Sequence, residues 1–156
     1  MSVPKNLVEV YPEVEHVYTK IALNLLPRLN LEDEQMIILA SGLPHFEQLK
    51  KNNTLLLGDL IEFFDLINPF EYNTIFITKN GGFRPKYDDP KYGSKLSISF
   101  GEWSGNDLLI DGEHVHDLNR LVAYDGTKLM SETTPHSGGT KYNITFYHVC
   151  NSACGR

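Results

Sequence analysis

The densest group of residues with chemical potential is FRPKYDDPKYG, residues 83–93. Lys86, Asp88 and Asp89 place one base and two carboxylates on a single loop, material for an ion pair, an acid–base pair or part of a metal site. His114 and His116, in GEHVHDL, are two apart, so on a strand they would share one face, a spacing that suits a metal. His136 lies five residues after Ser131, and a shifted register would turn it inward as a further ligand. Ser131 with His136 and an acid is the set a hydrolase uses, although no G-x-S-x-G elbow surrounds that serine. His16, His45 and His148 read more simply as surface or core-edge residues.

Bulk properties narrow the partners. The 156 residues are 41% hydrophobic and 22% charged, ordinary for one globular domain. Twenty acids against 14 bases give a net charge of −6. Nucleic acid is therefore a possible ligand that the charge does not favour, because backbone binding depends on clustered Lys and Arg. No stretch approaches 18 apolar residues, and MSVPKNLVEV lacks the pattern of a signal peptide, so the expectation is an intracellular protein without a membrane span. Cys150 and Cys154 form a C-x3-C in a tail of idle thiols, with no further zinc ligands near them. Sequons at Asn52 and Asn143 carry no weight in such a protein.

The elements that must position these groups change character near residue 70. In YPEVEHVYTKIALNLLPRL, Pro12 suits a first helical turn, and Val14, Val17, Ile21 and Leu25 form a stripe. Pro44 opens a short helix, and Asn53 or Thr54 caps the apolar run TLLLGDLIEFFDLI, closed by Asn68-Pro69. YNTIFITK, SKLSISFG, NDLLIDG, LNRLVAYDG, TKLMSE and TKYNITFYHV then read as strands. The expected fold class is α+β, one domain over 1–156. Residues 1–69 would be mainly helical support, 70–149 a two-sheet jelly roll with the helices on one outer face, and 150–156 a tail.

Two strands set Leu96, Ile98, Phe100 and Tyr142, Ile144, Phe146 against short polar or basic groups on the other face. That second face is either the solvent side of a sandwich or a pocket lined by Ser97, Ser99, Lys141, Asn143 and Thr145. Tyr87, Tyr92 and Trp103 would stand at the mouth of such a pocket.

In order come a P-x-x-D loop, a G-S before an apolar strand, FGEWSGNDLLIDG, a strand ending in AYDG, and a Pro followed by GGTKYNITFY. This order resembles the double-stranded β-helix of the iron(II)- and 2-oxoglutarate-dependent dioxygenases, nearest to the thymine- and methylcytosine-oxidising branch. The likeness covers about half the chain, most specifically at the Gly101–Gly105 turn and the closing Gly139–Tyr142. The family's chemistry needs two His and one carboxylate on iron and a basic clamp on 2-oxoglutarate. The resemblance puts the carboxylate at Asp88, the clamp at Lys141, and the two His positions at Lys86 and Ser131.

Both imidazoles are thus replaced. A protonated Lys86 cannot ligate iron, and Ser131 offers a weak neutral oxygen. Lys86 and Asp88 would instead form an ion pair at the old metal position, or stand as a solvated acidic loop. The leading expectation is a dioxygenase-like binding or scaffold module without cofactor, open to a small anionic ligand or a protein partner. The alternative is a working iron(II)/2-oxoglutarate enzyme, with a nucleobase among its candidate substrates and a ligand set drawn from Asp88, His114, His116 and His136.

Overall fold

The computed structural model describes residues 7–40, 42–82 and 84–149; both cysteines and the tail lie outside them. Its strands form two antiparallel sheets. The larger has six strands in the order β1 (Glu9–Glu13), β7 (Arg120–Asp125), β4 (Ser94–Gly105), β9 (His136–Tyr147), β3 (Thr74–Lys79), β2 (Met36–Leu39). The smaller has three, in the order β6 (Glu113–Val115), β5 (Leu108–Ile110), β8 (Ser131–Thr133). The helices are α1 (His16–Leu25), α2 (Pro44–Asn52) and α3 (Thr54–Ile67). None of them is long and apolar enough to cross a membrane.

Alternation decides what each face of the large sheet does. Leu96, Ile98 and Phe100 of β4 and Ile144 and Phe146 of β9 share the face covered by the helices. Asn53 caps α3 by accepting from the Leu56 amide at 3.0 Å, so the helix starts where its apolar stripe starts. Phe63 meets Phe100 at 6.0 Å between ring centroids, and Phe64 meets Phe146 edge-on at 5.7 Å. Burying Leu60, Phe63 and Phe64 contributes roughly 1.5–3 kcal/mol each. The opposite face carries the polar groups, and Leu108 and Ile110 of the small sheet pack with Val122 and Tyr124 on that side.

The N-terminal third departs from the helical expectation. Residues 9–13, including Pro12, pair with β7 as an edge strand, with Glu9 opposite Ala123. Proline is tolerated there because an edge leaves half the amides unpaired. The helix starts at His16 and buries Thr19, Ala22 and Leu25, while Val17 stays exposed. β2 forms the other edge, with Ile37 opposite Ile77. TKLMSE also divides: Asp125 closes a turn on Thr127, and only Ser131–Thr133 is strand.

The Gly101–Gly105 segment is not a turn either. β4 runs through it against β9, with Gly101 opposite Lys141 and Trp103 opposite Gly139, and the register shifts only at Gly105. Gly101 (φ 124°) and Gly139 (φ 72°) occupy conformations that side chains avoid, and a Cβ at either would strike the backbone of the facing strand. The glycines let two long strands cross closely.

Candidate functional site

A cavity of about 380 Å³ opens between the polar face of the large sheet, the 81–92 loop and the small sheet. Register sets its floor. Thr78, Asn143 and Ser99 form one cross-strand row, Phe76, Thr145 and Ser97 the next, and Tyr147, Lys95 and Tyr124 the third. The polar face is therefore interior: Ser97, Ser99, Lys141 and Thr145 are buried. Asn143 Nδ2 donates to the hydroxyls of Ser97 (2.8 Å) and Ser99 (3.0 Å), and Thr145 donates to Asn143 Oδ1 (2.8 Å). The second row lies beside an aromatic wall, in which Tyr92 meets Phe76 edge-on (5.8 Å) and Tyr147 at a tilt (4.7 Å). Tyr87 is exposed beside the opening, and Trp103 lies outside the lining, near Lys141.

Two buried ion pairs sit in the walls. The first joins Lys95 Nζ to Asp88 Oδ2 at 3.0 Å. The contact has the distance of an ion pair without the alignment of a hydrogen bond, since no donor is directed at that oxygen. The Asp88 amide donates to Gly126 O at 2.7 Å, and the carboxylate lies where a Cβ on residue 126 would be. Lys95 Nζ also stands 4.8 Å from the Tyr124 ring centre and 3.4 Å from the Tyr147 hydroxyl. Burial alone would favour neutral Lys95; Tyr124, Tyr147 and Asp88 outweigh it, and the pKa stands above the ordinary lysine value. Tyr147 is itself pushed up by burial, so its phenol is neutral at pH 7. The full negative charge on Lys95 is then that of Asp88.

The second pair joins Lys141 Nζ to Asp117 Oδ2 at 3.4 Å. Lys141 also donates to Asn106 O at 2.7 Å, and Ser99 donates to Asp117 Oδ2 at 2.7 Å. Its ring neighbour is Trp103, 5.0 Å away. Burial lowers the Lys141 pKa, with Asp117 opposing.

The remaining sequence candidates separate into those at the cavity and those away from it. Lys86 and Ser131 are joined by a two-way backbone bridge (3.1 and 3.0 Å), so the two positions expected for imidazoles are neighbours, and Lys86 is two residues from Asp88 in sequence. Lys86 is exposed at the opening and Ser131 is buried. The ammonium at 3.0 Å from Asp88 belongs to Lys95, where the expected ion pair had named Lys86. His114 is half exposed on β6, its ring 4.6 Å from that of His116 and its Nε2 3.8 Å from Asp107, and neither ring lines the cavity. The shifted register for His136 does not occur. It pairs with Gly105 at a bulge, with Nδ1 on Asn106 (3.2 Å) and Nε2 on Gly139 O (3.1 Å). Among the described residues no three His, Cys, Asp or Glu side chains are grouped to hold a metal ion.

No family model and no curated protein sequence matches this chain. Solved structures do. A Pseudomonas putida prolyl-4-hydroxylase superposes with a TM-score of 0.58 at 14% identity, over 92% of this chain and 93% of that one. NgTET1 in complex with 5mC DNA gives 0.62 at 7% identity, over 91% and 72%. A prolyl 4-hydroxylase from Phytophthora capsici gives 0.62 at 14%, over 93% of this chain and 59% of that one. The fold is the double-stranded β-helix. At these identities the likeness is one of fold, shared with iron(II)/2-oxoglutarate dioxygenases.

The β-helix here does not fit iron. Its donor set is one carboxylate, one hydroxyl and an ammonium, and the carboxylate already holds Lys95. A divalent ion about 4 Å from that ammonium would be repelled by about 8 kcal/mol at an effective dielectric near 20. Lys141, the position expected for the clamp, is likewise engaged by Asp117.

Proposed function

We propose that this chain is a binding module with the dioxygenase fold, taking a small molecule in the cavity of the β-helix without performing oxidation. One observation carries the reading: the two charges that would hold metal and 2-oxoglutarate, Asp88 and Lys141, are each engaged by a buried partner from the chain itself. An anion would have to displace Asp117 from Lys141. The lining carries four carboxylates (Glu34, Asp88, Asp89, Asp117) and three lysines (Lys86, Lys95, Lys141), so no surplus of positive charge recruits phosphate or carboxylate. The occupant best suited is a polar, uncharged or zwitterionic molecule that packs against Phe76, Tyr92 and Tyr147. The volume suits such a ligand.

The test is anaerobic titration of the chain with Mn(II) and Fe(II), with and without 2-oxoglutarate, read by calorimetry and thermal shift. No saturable heat and no stabilisation are expected. Metal-dependent stabilisation that disappears in Asp88→Ala, or succinate formed from 2-oxoglutarate, would overturn the proposal.

A further inference from the structure

The replaced imidazoles are one of two obstacles to metal in this cavity, and the second is a feature in its own right. Lys95 belongs to an interior row in which Tyr147 is its neighbour on one side and Tyr124 on the other. Its ammonium therefore lies between two phenol rings, 4.8 Å and 5.7 Å from their centres, and 3.0 Å from a buried carboxylate. Two phenol rings, the Tyr147 hydroxyl 3.4 Å from the ammonium, and a carboxylate converging on one point recognise an alkylammonium. Nothing about the cage is improvised by the lysine. Tyr124 and Tyr147 are held by the strands, and Asp88 is held by the Gly126 carbonyl and by the space a side chain at 126 would fill.

We infer that Asp88, Tyr124 and Tyr147 form an alkylammonium-binding site, and that Lys95 is its built-in occupant, standing as the resident cation in place of a divalent metal. The inference deepens the binding-module reading and rests on it. Two consequences follow. Restoring imidazoles at 86 and 131 does not by itself restore metal binding, because the Lys95 ammonium still occupies Asp88. Removing the Lys95 side chain beyond Cβ leaves a vacancy that a free primary amine fills, and propylammonium matches the atoms removed.

The first arm compares Lys95→Ala with Lys95→Ala/Asp88→Asn in propylammonium chloride, against sodium chloride at equal ionic strength. The single variant should gain about 2–4 °C in Tm at an amine concentration five times the dissociation constant. The double variant should gain no more than it does in sodium chloride. Equal gains in both variants, or none in either, would overturn the site. The second arm stands even if Lys95→Ala does not fold. It compares Lys86→His/Ser131→His with the same pair carrying Lys95→Met, by Mn(II) titration of proteins with native circular dichroism. Removing the resident charge should tighten Mn(II) at least about 100-fold. Equal affinity in the two, or no binding in the triple variant, refutes the inference. Mn(II) binding by the unmodified chain would instead refute the binding-module reading, so the two failures are distinguishable.

Discussion

Asp117→Asn tests whether the lysine clamp is neutralised from within. The substitution keeps the shape and the acceptor for Ser99, whose hydroxyl lies 2.7 Å from Asp117 Oδ2, but removes the charge facing Lys141 at 3.4 Å. Lys141 is then buried with only the Asn106 carbonyl as a named acceptor. Breaking one side of a buried pair costs about 3–5 kcal/mol. With Ser99 still satisfied the low end applies, roughly 3 kcal/mol, a fall in Tm of about 6–12 °C for a chain of this size. The loss should also depend on pH with a defined sign. Asp117 is what opposes the downward shift of Lys141, so its removal lowers that pKa further. Between the lowered folded pKa and the unfolded value near 10.5, the unfolded chain binds the extra proton, and stability rises with pH. Urea denaturation followed by circular dichroism at pH 7 and pH 9.5 should therefore show the variant regaining part of its deficit at the higher pH. A fall of less than about 2 °C, or a deficit unchanged with pH, would mean that Asp117 does not hold Lys141 as a buried counter-charge.

Two further outcomes follow from the same walls. Lys95 and Tyr147 both have folded pKa values raised above their ordinary ones, so their contributions are complete below about pH 10 and are lost as the pH rises through the raised values; a pH series of melting curves should fall steeply on that limb, and less steeply in Lys95→Met. Gly126→Ala drives a Cβ into the Asp88 carboxylate although residue 126 has no left-handed backbone to relieve, so the loss is overpacking and a displaced ion pair. It should cost about 1–3 kcal/mol, a fall in Tm of roughly 2–12 °C, and an unchanged melting curve would show that the carboxylate is free to move.

Sequence reached the parts of this molecule whose signals are local. Alternation over SKLSISF and TKYNITF located β4 and β9, and an apolar run behind Asn53 located α3. It missed β1 and β2 because edge strands of four or five residues carry little periodicity, and Pro12 reads as a helix start as readily as an edge residue. It also passed over Lys95 and Asp117, whose roles depend on register. Lys95 alternates with Leu96 like any solvent-facing lysine; only the tyrosines that β7 and β9 bring to either side reveal an interior row. A usable signal was the presence of a tyrosine, Tyr124 or Tyr147, in alternation with the polar-face positions of β7 and β9. For Asp117 no local signal exists, since it reaches Ser99 across 18 residues through a chain reversal.

The two ion pairs also bear on why the cavity persists. The hydrophobic core lies on the other face of the large sheet, built by Phe63, Phe64, Phe100 and Phe146, and owes nothing to Lys95 or Lys141. Buried pairs are poor stabilisers: replacing one with apolar residues of similar volume is often neutral or favourable by about 1–4 kcal/mol. A β-helix needing only its fold would therefore be served as well by leucine and methionine at these four positions, closing the space between the sheets. Instead the floor keeps a network of hydrogen bonds linking Ser97, Asn143 and Thr145 across two rows, the side wall keeps packed rings, and the charges are paired. Such an interior suits a polar occupant, which is the physical ground for proposing that the cavity is a binding site and not a relic of packing.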